Sequence, residues 1–319
     1  MQPYVCTVRS GLVAIDFFSS KNLLHIFSRS KYSLFIPEFS CMRDSPDGRS
    51  RLVYTEGNAR TLQYSPYKVA VSFPWSEMRD GETILYLAYP LMERQRQERG
   101  YLTAHAAAFS LGDAAYLLLG KEGAGKTSTV IDMCQRFGAK LIANDLCIIG
   151  WRKRAFPVVQ GGTKFFFLRR ESAKRTLPVL LKYFKQKSDE DPWLEKAILC
   201  PKEMGIEIET RELQVSGVFL VHVDETKRAL FSRRIDNLTT RLYLNENFSR
   251  YIRTTSTTML GGDRYELLGY VPPLDTRQFY QWRQALIGHL FNVQGIRYVS
   301  GSLSLVVQEI QRLCSATDL

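Results

Sequence analysis

The chain has little of what would tie it to a metal, a membrane or an oxidising compartment. Its six cysteines (Cys6, Cys41, Cys134, Cys147, Cys200 and Cys314) are scattered, no C-x-x-C pair occurs, and the four histidines form no cluster with them. Neither a zinc site nor a disulfide framework is expected. The thiols read instead as small buried hydrophobes in a reducing compartment. No run approaches the roughly 20 apolar residues that cross a bilayer. The first nine residues lack the basic-then-apolar order of a signal peptide. The expectation is a cytoplasmic protein without membrane attachment. Internal repeats and low-complexity tracts are absent. So are helix-turn-helix, zinc-finger and RNP signatures, which leaves nucleic acid off the expected partners. An Asn-Lys-x-Asp guanine-specificity motif and an ABC-type signature are missing too.

One sign of charge is in excess. The formal net charge is +11, which favours anionic partners such as nucleotides, phosphorylated products or acidic peptides. Basic residues are densest at Trp151–Arg154, at Lys164–Arg175 and at Arg233–Arg234. A length of 319 residues gives two domains or one large one, at roughly 150 residues each. Residues 1–80 mix short apolar runs (Leu12–Ile15, Leu52–Tyr54, Val69–Phe73) with turn-rich pieces such as Asp44–Gly48. That mixture suits a small α/β or β-rich domain. A helix is expected over residues 83–98, closed by Gly100. The boundary is placed there: 1–100 as an accessory or substrate-recognition domain, 101–319 as the catalytic domain.

The most informative stretch is Gly-Lys-Glu-Gly-Ala-Gly-Lys-Thr-Ser at residues 120–128. It fits G-x-x-x-x-G-K-[ST], the loop that wraps nucleotide phosphates. Gly120, Gly123 and Gly125 allow backbone conformations closed to other residues. The N–H groups of Glu122, Ala124 and their neighbours through Ser128 can then converge on phosphate oxygens. Lys126 adds charge where the β- and γ-phosphates would lie, and the Thr127 hydroxyl suits Mg²⁺. The context agrees. Ala114–Leu119 reads as a buried strand, and Val130, Ile131, Cys134 and Phe137 follow at helical spacing. Gly138 stands where a C-cap glycine belongs.

Leu102–Phe109 reads as a strand joined by a tight turn, Ser110–Asp113, to the strand before the loop. A hairpin centred near Gly112 would set His105 nearly opposite Gly120, beside the loop. Lys140–Ala143 reads as a further strand presenting Asn144 and Asp145 at its carboxyl end, where ligands of open α/β sheets lie. Gly217–Asp224 competes as a Walker B pattern, although a plain strand ending in a turn explains it better. Gly161–Lys164 reads as a turn which, with the basic aromatic segment Phe165–Arg175, lines an acceptor site. Ile296–Val299 reads as a strand and Leu303–Leu313 as a helix.

From His105 to Gly150 the chain resembles the catalytic core of bacterial HPr kinase/phosphorylase. The shared features are a His on the strand before the loop, the loop, a helix ending in Gly, and a strand ending in paired acids. The resemblance implies an α/β fold with a P-loop kinase core, ATP and Mg²⁺ as cofactors, and transfer of the γ-phosphate to a hydroxyl. Two positions depart from the family: Ser128 stands where Glu is common, and Asn144 replaces the first acid. Asn cannot act as a base, so the family's phosphorolysis is not expected. Similar kinases with Asn-Asp here exist, some of which phosphorylate a Ser of a precursor peptide in natural-product pathways. The implied function is therefore a kinase for Ser or Thr of a peptide or protein. A small-molecule kinase and a nucleotide-binding regulatory NTPase are the alternatives. On this reading Lys126 cradles the γ-phosphate, Asp145 is base or metal ligand, and Thr127 holds Mg²⁺ with it. His105 orients the phosphate, and Asn144 hydrogen-bonds the acceptor. The family also suggests a homo-oligomer.

Overall fold

The structure, a computed structural model, describes residues 4–43, 49–78, 81–151, 156–184, 195–253 and 273–316. The expected turn at Asp44–Gly48 and the basic residues 152–154 lie outside them. The protein is mixed α/β and divides into two compact units. The first comprises Met1–Thr103 and Glu246–Arg283, the second Ala104–Asn245 and Gln284–Leu319. The boundary expected near residue 100 is close to the observed one, but the chain returns to the first unit at Glu246–Arg283, so the residues after 100 are not one unit.

In the first unit, β1 (Tyr4–Ser10), β2 (Val13–Ser19), β3 (Phe39–Arg43), β4 (Ser50–Glu56), β5 (Thr61–Ser65) and β6 (Lys68–Phe73) form one sheet, ordered β3-β1-β2-β4-β6-β5. A short helix, α1 (Leu23–Phe27), follows β2. The expected helix is α2 (Glu82–Glu98), which packs on β2, β4 and β6. Its far end buries charge. Glu93 is fully buried and accepts from the Thr103 backbone N–H and from Gln97 Nε2 at 2.8 Å. Burial pushes its carboxyl up even though Arg96 lies beside it.

The chain passes between the units within β7 (Tyr101–His105). The single strand expected over 102–109 is two, because the ladder breaks at Ala106 before β8 (Ala107–Leu111). The turn to β9 (Ala114–Leu119) is only Gly112-Asp113, with Gly112 at φ +59°. After the glycine-rich segment come α3 (Lys126–Phe137), β10 (Lys140–Ala143), β11 (Leu146–Gly150) and β12 (Val158–Gly162). Then follow β13 (Phe166–Arg169), α4 (Arg170–Thr176), β14 (Lys196–Leu199), β15 (Leu213–Val223), β16 (Phe231–Ile235) and α5 (Leu238–Ser249). The chain closes with α6 (Arg277–His289), β17 (Ile296–Gly301) and α7 (Leu303–Ser315).

The main sheet of the second unit runs β10-β8-β9-β15-β12-β11. β17 lies parallel to the later half of β15, and β16 pairs β17. Alternate residues face one side, as strand geometry requires: Phe109 of β8, Tyr116 and Leu118 of β9, Phe219 and Val221 of β15, and Val299 of β17. Against them pack Val130, Ile131 and Cys134 of α3 and Val306, Val307 and Ile310 of α7. The rings of Phe109 and Tyr116 stack at 5.4 Å. α3 ends as expected, with Gly138 at φ +66° taking the left-handed cap that would strain a side chain. Among the described residues, no helix is long and apolar enough to cross a membrane.

Candidate functional site

The sheet brings its chemistry to one edge. β9 and β15 are parallel neighbours. β10 runs the same way, because both it and β9 are antiparallel to β8. The carboxyl ends of all three strands, at Leu119, Ala143 and Val223, therefore share an edge with the amino end of β8. That is the edge at which open α/β sheets hold ligands.

At the end of β9 the glycines do what only glycines can. Gly120 has φ +153°, and a Cβ there would come within 2.8 Å of the Val221 carbonyl. Gly125 has φ +90°, and its Cβ would lie 2.5 Å from Val223 Cγ2. Gly123, at φ +75°, faces open space. The loop is tied to β15 by the Val223 N–H, which donates to the Ala124 carbonyl at 2.9 Å. The Gly120 N–H donates to the Tyr243 hydroxyl at 3.1 Å. Tyr243 comes from α5, far along the chain, and no motif marks it.

Lys126 opens α3 and is buried. Its Nζ donates to the carbonyls of Gly120 at 2.9 Å and Lys121 at 3.2 Å, and lies 3.1 Å from His105 Nε2. An ammonium has no lone pair. His105 Nε2 must therefore accept, which puts the ring proton on Nδ1. The proximity expected from the hairpin register is thus the observed one: the β8–β9 pairing, extended two residues, sets 105 opposite 120.

Asn144 is buried and occupied at both ends. Its Oδ1 accepts from Thr127 Oγ1 at 3.0 Å, and its Nδ2 donates to the Phe165 carbonyl at 3.1 Å. It orients Thr127, and its amide is not directed at an acceptor molecule. A hydroxyl that donates its proton keeps its lone pairs, so Thr127 remains suited to a hard cation. The Ser128 hydroxyl is turned away to Thr176, at 2.8 Å.

Asp145 is the strained member. Its φ of +67° is one of two positive values among non-glycine residues described. The Leu146 N–H donates to the Asn144 carbonyl at 2.9 Å. An i→i+2 bond about a positive φ is the rare γ-turn. Thr163 clamps it: its carbonyl accepts from Asn144 N–H at 2.7 Å, and its N–H and Oγ1 engage Leu146 at 2.9 and 3.2 Å. The Asp145 carbonyl accepts from the Ala106 N–H at 3.1 Å. Strain of this kind persists only where surroundings over-determine it, and it gathers at functional sites. Burial raises the Asp145 pKa; Lys126 and Lys196 oppose the rise, and Glu122 adds to it.

The remaining candidates sit otherwise. Glu122 is exposed and pairs with Arg169 at 2.5 Å. Asp224 follows β15, but its carboxylate accepts from Thr226 N at 3.0 Å and Oγ1 at 2.7 Å, forming its own turn. These bonds lower its pKa. Gly161 and Gly162 are not a turn: they belong to β12, where a Cβ on Gly162 would lie 2.1 Å from the Leu146 carbonyl. Within Phe165–Arg175, Phe166 and Leu168 belong to the core. Arg234 is turned to the Phe291 carbonyl at 3.2 Å. Cys134 and Cys147 are buried, which pushes their thiols up to about 12. Among the described residues, no group of three or more His, Cys, Asp or Glu could hold a metal ion. Compared with models of protein families and with curated proteins, the chain matches none of them.

Proposed function

We propose that the second unit is an ATP-dependent phosphotransferase with a P-loop kinase core, acting on a hydroxyl, foremost a Ser or Thr of a peptide or protein. The observation that carries this reading is the convergence of Lys126, Thr127 and the strained Asp145 on one sheet edge beside a glycine-rich loop. The resemblance to HPr kinase over residues 105–150 supports it. Cytoplasmic location and self-association belong to the same proposal.

The loop fits phosphate. Positive φ at Gly120, Gly123 and Gly125 gives it the tight turns of a phosphate nest, with the Ala124 N–H held by the Lys121 carbonyl at 3.1 Å, and the helix behind adds the positive end of its dipole. Lys126 is held in place by His105 on one side and by loop carbonyls on the other. Thr127, with its proton committed to Asn144, and Asp145 would hold Mg²⁺. That few-ligand arrangement is usual where phosphates supply the rest. When bound, the ion neutralises charge on the transferring group.

In place of holding the ion, Asp145 is suited to take the acceptor proton. A carboxylate with a raised pKa is a stronger base than a solvated one, and among the described residues no hydrogen-bond donor holds its side chain. His105 keeps Lys126 oriented, and Asn144 keeps Thr127 oriented; neither needs to touch the acceptor.

The test is acceptor-dependent phosphorylation read by mass spectrometry, with Mg-ATP, candidate peptides, a metabolite extract and Lys126→Ala as control. Phosphate on a peptide Ser or Thr with wild type alone is the expected result. Phosphate on a metabolite would assign a small-molecule kinase. ATP consumed without a phosphorylated product would assign a regulatory NTPase.

A further inference from the structure

Two cations near the loop are not used by the mechanism above. Arg169 ends β13 and Lys196 begins β14, and the antiparallel register sets them directly opposite. Like charges at cross-strand positions repel. A ribbon that keeps them there is suited to an anion that both can reach. The ribbon is fixed at this end, since the next residue, Arg170, pairs with Glu195 next to Lys196.

Arg169 is directed to the loop, and Lys196 stands opposite it across the ribbon. The Arg169 guanidinium reaches across to Glu122, the third residue of the loop, at 2.5 Å. Lys196 is exposed at the same end of the ribbon. Glu122 puts an exposed carboxylate on the loop itself. A carboxylate beside a polyanion is repulsive unless a cation is shared between them. Arg169 is that cation, and a guanidinium can bind a carboxylate or a phosphate with the same paired N–H geometry.

We propose that Arg169 and Lys196 form the receptor for the terminal phosphate of the nucleotide, and that Glu122 holds Arg169 in reserve until that phosphate arrives. The inference rests on the nucleotide reading above and adds to it. Binding becomes an exchange in which Arg169 leaves Glu122 for the γ-phosphate. The exchange makes the site sensitive to the third phosphate, since a diphosphate does not offer the competing anion. Arginines supplied to the transferring group act in this way in other phosphoryl-transfer sites.

The experiment is isothermal titration calorimetry on the full chain with Mg²⁺ and either ADP or a non-hydrolysable ATP analogue. Wild type should bind both. Arg169→Ala and Lys196→Ala should each weaken the ATP analogue about tenfold or more, the scale of one charge-assisted hydrogen bond. ADP affinity should stay within about twofold, because the β-phosphate is left to the loop itself. Glu122→Gln should strengthen the ATP analogue several-fold and leave ADP unchanged. Equal losses for the two nucleotides, or no loss, would overturn the receptor while leaving the nucleotide reading intact. Wild type binding neither nucleotide would remove that reading and this one with it. Should Arg169→Ala fail to fold, Lys196→Ala and Glu122→Gln, both at exposed positions, decide the matter.

Discussion

Placing an acid at residue 144 is the sharpest test of the geometry around Thr127. In Asn144→Asp the Oδ1 that accepts from Thr127 survives. The Nδ2 that donates to the Phe165 carbonyl becomes an oxygen. Two acceptors then face each other at 3.1 Å in a position with no solvent access. Leaving a buried carbonyl without its donor costs about 1–3 kcal/mol. Ionising the new carboxyl beside that carbonyl costs more, so its pKa in the folded protein must rise. The sign follows. A carboxyl raised in the folded state is compatible with folding below its unfolded value of about 3.9. It becomes a liability as pH climbs past that value. A protonated carboxyl can donate to Phe165 and recover the lost bond. Urea denaturation of wild type and Asn144→Asp at pH 7.5 and pH 4 should give a gap of about 2 kcal/mol or more at the higher pH. The gap should narrow at the lower pH. A variant equal to wild type at pH 7.5, or a gap that ignores pH, would refute the assignment of Asn144 as a two-sided clamp.

Other outcomes follow from the same contacts. Gly123→Ala should cost about 1–2 kcal/mol for placing a side chain at positive φ. Gly125→Ala should cost that and a further ~1–3 kcal/mol for overpacking against Val223, both read from denaturation midpoints; equal costs would mean that the loop does not rest on β15. Asp145→Asn should remove turnover yet be at least as stable as wild type at pH 7, because burial disfavours the ionised carboxyl that it replaces. That advantage should vanish below the ordinary carboxylate range, and a variant less stable at pH 7 would contradict the raised pKa. In wild type the same raised pKa should place the acid limb of the pH–rate profile above that range. Tyr243→Phe should lose about 1 kcal/mol through the Gly120 N–H, with no change expected if the hydroxyl contact is incidental.

What was legible in the sequence was local. The strand before the loop, the helix after it, its Gly138 cap and the strand ending at Asn144 each follow from apolar spacing within a dozen residues. Even the place of His105 beside the loop was readable from one hairpin register, although its contact with Lys126 was not. The rest depends on contacts that no period announces. Tyr243 reaches Gly120 across 123 positions, and Arg169 reaches Glu122 across 47. Gly161 and Gly162 look like a turn by composition, yet they are strand residues, and the missing Cβ of Gly162 lets β12 close on β11. The γ-turn at Asp145 was hidden for another reason: aspartate tolerates positive φ better than most residues but adopts it only where its surroundings require it, here the bonds to Thr163 and Ala106. The return of residues 246–283 to the first unit leaves no compositional mark either.

The hydrogen bond from Val223 to Ala124 has a practical consequence. The Val223 amide belongs to a strand of the main sheet, yet its hydrogen is held by the glycine-rich segment and not by another strand. Its exchange with deuterated solvent therefore counts how often that segment lifts away, while its neighbours along β15 count the opening of the sheet itself. The ratio of the two rates measures loop mobility without any added probe or label. A molecule seated in the loop would slow the first rate and leave the second alone, giving a residue-resolved assay for ligands whose chemistry is still to be found.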